Sequence, residues 1–131
     1  MILVDTSAWI AFLRATGSPA NDALRAALTD DDVATTDIVQ LELLAGARDR
    51  RQLHALRDLL AGTTHLAIAP GIDADAAAEL YRGCRARGET PRQLSDCLIA
   101  AVAIRHELPV LHEDRDFEVL ARHSTLQTVR G

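Results

Sequence analysis

The first ten residues, Met1 to Ile10, read MILVDTSAWI, and they contain a complete switch from strand to helix. Ile2, Leu3 and Val4 form a short, partly β-branched apolar run, the pattern of a buried strand. Ala8, Trp9, Ile10, Phe12 and Leu13 then open an apolar-faced helix. Asp5 stands between the two. Asp, Thr and Ser all accept hydrogen bonds from the first free N–H groups of a helix, so an N-cap is one reading of this acid. A functional carboxylate is the other. What separates them is whether acids later in the chain stand in matching places.

Working outward, the same alternation repeats. Ser18 and Pro19 make an N-cap and first-turn pair for a helix through Leu28, and the acidic TDDD forms the next turn. VATT reads as a strand, with Asp37 expected to cap a helix, IVQLELLAGA, that ends at Gly46. Asp49 starts a further helix in which Leu53, Leu56, Leu59 and Leu60 recur at helical spacing, closed by Gly62. HLAIAP is a third strand, and Asp73 is expected to cap a helix to about Gly88 with Ala77, Leu80 and Cys84 inward. ETPRQLSDCLIAAVAIRHE is the strongest helical pattern, since Leu94, Leu98, Ala101 and Ile104 stack every three to four residues. PVLH, RDFEVLARH and LQTV follow as strand, helix and strand. Strands separated by helices predict one α/β domain over residues 1–131: a central, mostly parallel sheet with helices on both faces. Ligands of such open sheets bind outside the carboxyl ends of the strands, which puts Asp5 on the functional edge.

Composition narrows the function. A chain of 131 residues, 48% hydrophobic and 25% charged, is one ordinary globular domain. Its longest apolar stretch, CLIAAVAI, falls far short of the roughly 20 residues that cross a bilayer, and no basic segment precedes the N-terminal apolar run. No membrane association and a cytoplasmic location are the expectation. Cys84 and Cys97 form no C-x-x-C and have no companion His pair, so they read as small core residues rather than zinc ligands. All 14 basic residues are arginine. Without a lysine there is no phosphate loop of the GxxxxGK type. The same absence, with Ser at position 7, speaks against the receiver-domain and aspartyl-phosphatase chemistry that also starts from an Asp after a first strand.

Four further acids match Asp5. Asp114 follows the strand PVLH as Asp5 follows ILV, Asp116 is two residues on, Asp96 precedes the apolar run CLIAA, and Glu42 lies in the helix after VATT. Each has a plain structural alternative: a cap for Asp114 or Asp116, a helix-dipole partner for Asp96, a solvated helix position for Glu42. Together they would cluster on one edge, where carboxylates near 4 Å repel by roughly 1 to 4 kcal/mol per pair. A cation resolves that repulsion. Mg²⁺ and Mn²⁺ take such oxygen ligands, and either activates water and offsets charge during attack on a phosphodiester.

LVDTSAWI, LELLAG around Glu42, LSDCLIAAVA around Asp96 and HEDRDFEVL around Asp114 together resemble the PIN-domain ribonucleases, specifically the VapC-type toxins of bacterial toxin–antitoxin pairs. The resemblance runs in order over almost the whole chain. It implies that Asp5, Glu42, Asp96 and Asp114 are a catalytic acidic quartet binding Mg²⁺ or Mn²⁺, with Asp116 a supporting ligand and Thr6 or Ser7 hydrogen-bonding within the site. It implies an RNA substrate (tRNA or rRNA), an antitoxin partner and a homodimer. The leucine-rich LHALRDLL is a candidate for an apolar face beyond what the core can bury. The family often carries Thr or Ser two residues before the last acid, where this chain has His112; the ring is either structural or a contact to the scissile phosphate. Arg82, Arg85, Arg87 and Arg92 are the densest basic segment near a proposed ligand, suited to RNA phosphates, and Tyr81 is the candidate stacking platform. The alternative function is a PIN-like module that binds protein and has no catalysis.

Overall fold

The computed structural model describes residues 1–130. In chain order its elements are β1 (Ile2–Val4), α1 (Thr6–Leu13), α2 (Pro19–Thr29), β2 (Val33–Thr36), α3 (Asp37–Ala45), α4 (Arg50–Ala61), β3 (Thr64–Leu66), α5 (Ile72–Ala86), α6 (Leu94–Arg105), β4 (Val110–Leu111), α7 (Arg115–Arg122) and β5 (Thr128–Val129). The strands form one sheet in the order β3-β2-β1-β4-β5, and every neighbouring pair is parallel. Leu3 is its pivot, in register with Ala34 of β2 on one side and Val110 of β4 on the other. Consecutive strand residues face opposite sides of a sheet, and Leu3, Val4, Val110 and Leu111 are all fully buried, so helices cover both faces.

This order positions the site. The chain runs outward from β1 through β2 to β3, then crosses back to lay β4 against the other side of β1. The winding reverses between β1 and β4, and such a reversal opens a crevice at the carboxyl ends of the strands. Asp5 follows β1 and Asp114 follows β4, so both stand at that crevice. α6 packs beside it and is apolar all round, with Cys97, Ile99, Ala100, Ala101, Val102 and Ala103 buried, as befits a helix enclosed by its neighbours.

Several helix starts follow local rules. The Ser18 hydroxyl accepts the Asn21 N–H ahead of α2, and Asp49 accepts the Gln52 N–H ahead of α4. Two expected caps behave otherwise. Thr36, not Asp37, precedes α3; the Asp37 carboxylate accepts the Ile68 N–H and meets His65 Nε2 at 2.8 Å. Gly71, with φ +77°, precedes α5, while Asp73 accepts the Ala69 N–H and a two-pronged contact from Arg105. Both acids tie a helix start to the segment leaving β3. That strand is shorter than HLAIAP because its partner β2 ends at Thr36, opposite Leu66. α6 starts at Leu94 rather than Glu89: the Arg92 N–H is held by Asp116, outside any helical ladder. β4 and β5 are likewise only cores of the expected strands.

α4 does not present a surplus leucine face. Leu56 and Leu60 are buried and Leu53 and Leu59 half-buried, since the helix lays its apolar stripe against α3 and the core. The exposed large apolar side chains are instead Met1, Ile10, Leu13, Leu41, Ile72 and Leu94. Among the described residues no helix is long and apolar enough to cross a membrane.

Candidate active site

Asp5 directly follows β1 and is only 4% exposed. Its Oδ2 accepts the Ser7 N–H at 3.1 Å and the Ser7 hydroxyl at 2.6 Å, so it caps α1 while holding a carboxylate at the crevice. The two readings of Asp5 therefore coexist in one side chain. Burial pushes its pKa up, the Ser7 hydrogen bonds oppose this, and Glu42 adds repulsion. Ser7 Oγ also accepts the Glu113 N–H, joining the turn after β1 to the turn after β4. The Thr6 hydroxyl donates to Glu42 Oε1 at 2.8 Å and anchors that carboxylate from α3.

Asp96 lies in the first turn of α6, 6% exposed, and its Oδ2 has no hydrogen-bond partner among the described residues. Desolvation, then the charges of Asp5, Asp114, Asp116 and Glu42, push its pKa up to about 7. All five acids singled out in the sequence thus share one neighbourhood. The tightest group is Asp96, Asp114 and Asp116, each with one oxygen within 4.8 Å of the others. Asp114 caps α7 by accepting the Asp116 N–H at 3.0 Å.

Arg92 is not a free contact for RNA. Its Nη2 donates to Asp114 Oδ1 at 2.9 Å, while its Nε and backbone N–H both donate to Asp116 Oδ2 at 3.0 Å. One guanidinium faces five carboxylates. That balance, with a buried oxygen lacking a partner, fits a hard divalent cation held by oxygen ligands.

His112 sits behind the site, fully buried. Its Nδ1 accepts the Asp114 N–H, its Nε2 meets Glu118 Oε1, and its ring lies tilted against Phe117. A contact to a scissile phosphate is closed to it. Arg82, Arg85 and Arg87 are exposed at the end of α5, with the Arg85 guanidinium over the Tyr81 ring at 5.7 Å, so the proposed stacking face is covered from within. A groove absent from the sequence reading adjoins Asp116 and includes Arg92, Arg115, Arg122 and Arg130 together with Glu89 and Glu118. Arg122 is paired to Glu89, whereas Arg115 and Arg130 make no ion pair among the described residues. Its sequence signals are Arg92, at the end of the basic segment, and Arg115, set between two acids in EDRDF.

The PIN domain family model matches residues 2–123. A "VapC ribonuclease Mb1587" of Mycobacterium bovis is 44% identical over 129 residues, covering 97% of this chain and 96% of the relative. "Ribonuclease VapC11" of Mycobacterium tuberculosis matches to the same extent. Among solved structures, VapBC-5 from M. tuberculosis, of the VapBC family of toxin–antitoxin systems, is 27% identical with a TM-score of 0.71, covering 99% of this chain and 98% of that one. The VapBC2 structure from Rickettsia felis, bound to a promoter DNA fragment, has the same fold at 18% identity and TM-score 0.76, covering 98% of each chain.

Proposed function

The chain belongs to the PIN domain family as a VapC-type ribonuclease of a toxin–antitoxin pair, and from that premise we propose that it hydrolyses phosphodiester bonds of structured RNA, tRNA or rRNA, using Mg²⁺ or Mn²⁺. The observation that carries the metal dependence is the convergence of carboxylates from four separate segments around the unpartnered Asp96 Oδ2. Asp96, Asp114 and Asp116 would hold the ion, with Asp5 and Glu42 beside them. When bound, such an ion supplies Lewis acidity toward phosphodiester oxygens and makes water a usable nucleophile near neutral pH.

The chain's own residues prepare the site. Ser7 orients Asp5, Thr6 orients Glu42, and Arg92 holds one oxygen each of Asp114 and Asp116. Burial and the neighbouring carboxylates push the Asp96 pKa up to about 7, so its charged form is the one a bound cation would favour most. Arg115 and Arg130 in the groove beside Asp116, with Arg82, Arg85 and Arg87 on α5, are the proposed phosphate contacts.

The cognate antitoxin is the proposed protein partner. Ile10 and Leu13 of α1 line a cleft with Leu43 and Leu56 that opens onto Thr6 and Glu42 and is edged by Arg14 and Arg48, an approach to the acids suited to a partner segment with an apolar face. A homodimer completes the assembly; light scattering should return twice the 14.2 kDa chain mass, and a monomer at high concentration removes it.

Incubating the purified protein with total RNA in EDTA, Mg²⁺ or Mn²⁺ and mapping new 5′ ends tests the reading. Discrete cuts that need the ion are expected. No cleavage, together with no Mn²⁺ binding by calorimetry, would replace the nuclease with a protein-binding module.

A further inference from the structure

His112 has both ring nitrogens engaged although no atom of it reaches the crevice. Nδ1 lies 3.1 Å from the Asp114 backbone nitrogen, whose N–H it accepts. A ring nitrogen that accepts cannot carry a proton, so the proton sits on Nε2, which points at Glu118 Oε1 at 2.9 Å. Glu118 is itself held by the Thr128 hydroxyl at 3.0 Å. A continuous line of hydrogen bonds thus runs from β5 through α7 and the end of β4 to the peptide that carries Asp114. The Phe117 ring, 5.3 Å away, limits the imidazole to this orientation.

The Asp114 carboxylate needs such a hold. It is joined to the triad from a turn and is half-buried, and its Oδ1 is already committed to the Asp116 N–H and Arg92. We propose that His112 and Glu118 are positioning residues for the cation centre: the imidazole Nδ1 fixes the Asp114 peptide, and Glu118 fixes the imidazole, so that the Asp114 carboxylate is presented to Asp96 and Asp116. The inference rests on the reading of those acids as a cation site. Outer-shell partners of metal ligands act in this way, and their loss costs about 10 to 100-fold in metal affinity.

Calorimetric Mn²⁺ titration of the whole chain is the test, with His112→Leu, His112→Asn, Glu118→Gln and Glu118→Leu. Leucine removes the acceptor and should weaken Mn²⁺ binding about 10 to 100-fold. Asparagine places an amide oxygen where Nδ1 stands, and glutamine at 118 keeps an oxygen for Nε2–H; both should stay close to wild type. Should His112→Leu not fold, Glu118→Leu carries the test, because it frees the ring to turn away from Asp114 and should weaken Mn²⁺ in the same direction. Amide exchange at Asp114 in EDTA reads the same contact without any ion: protected in wild type and His112→Asn, fast in the leucine variants. Equal Mn²⁺ affinity across wild type and the leucine variants, or equal weakening by His112→Asn and His112→Leu, overturns the inference. A wild type that binds no Mn²⁺ while Asp114 stays protected overturns the cation reading itself, and the inference with it.

Discussion

Replacing Asp96 with asparagine should make the metal-free protein more stable, by an amount that grows with pH. The Asp96 pKa is raised from 3.8 to about 7 in the folded chain, first by burial and then by the surrounding carboxylates. A raised folded pKa means that the group does no harm below about pH 4 and costs stability as pH climbs toward 7. The slope is about 1.4 kcal/mol per pH unit, with a ceiling of about 4 kcal/mol above pH 7. Screened pair repulsion alone sets a floor of about 1 kcal/mol. Asparagine keeps the shape and removes the charge. At roughly 4 °C per kcal/mol for a domain of this size, Asp96→Asn in EDTA should melt with wild type at pH 4 and about 4 to 15 °C above it at pH 8. Mn²⁺ at a hundredfold excess over its Kd should raise wild type by about 2.7 kcal/mol and the variant by much less, closing or reversing the gap. RNA cleavage by the variant should fall by orders of magnitude. Melts at pH 4, 6 and 8, with EDTA and with Mn²⁺, decide it. A difference that is flat across pH, or a variant that melts below wild type in EDTA at pH 8 and gains equally from Mn²⁺, would reduce Asp96 to an ordinary helix-start residue.

Asp5→Asn keeps an oxygen for the Ser7 N–H while removing a buried charge, so its EDTA melt should stay level or rise while its Mn²⁺ gain shrinks; a Mn²⁺ gain equal to wild type would leave Asp5 a cap alone. Replacing Arg115 and Arg130 together by alanine should lower the slope of log affinity for single-stranded RNA against log salt by about 1.4, and Arg85 with Arg87 by the same amount; an unchanged slope assigns that pair to solvent or to the partner. Arg105→Ala leaves the Asp73 carboxylate with the Ala69 N–H alone and should lower stability in urea melts, against a null effect if the pair is ornamental. Arg105 holds the Asp73 pKa down, so this contribution stands above about pH 4 and fades as pH falls through the lowered value.

The acids were legible because strand ends are. In a parallel sheet, an acid at or just beyond the end of an apolar strand lies at the carboxyl edge, and that rule alone places Asp5 and Asp114. Capping by Ser18 and Asp49 is legible for a similar reason, since the N–H groups they accept from lie only three residues on. Asp37 and Asp73 defeated the rule. Asp37 takes the Ile68 N–H and Asp73 takes Arg105, partners some thirty residues away that no local window contains, and the Ala69 N–H that Asp73 also accepts lies before it rather than in the helix it was expected to cap. The same limit hid the capture of Arg92 by Asp114 and Asp116, because an arginine in a basic run looks free until the turn beside it is folded. His112 was ambiguous for another reason. One polar residue in PVLHEDRDF carries no signal of its own burial, which depends on Phe117 and Glu118 arriving from the next helix.

The pairing of Leu3 with Val110 sets a clock on the enzyme during its own synthesis. β1 is made well before β4, yet the two are neighbours in the sheet, and the crevice exists only once they lie side by side. At about 5 to 20 residues per second, Asp116 is made roughly 5 to 20 seconds after Asp5. Until then the nascent polypeptide holds Asp5, Glu42 and, late on, Asp96 without Asp114 and Asp116, so the acidic group at the crevice is incomplete. A chain that stops short of β4 lacks two of the five acids that meet at the crevice.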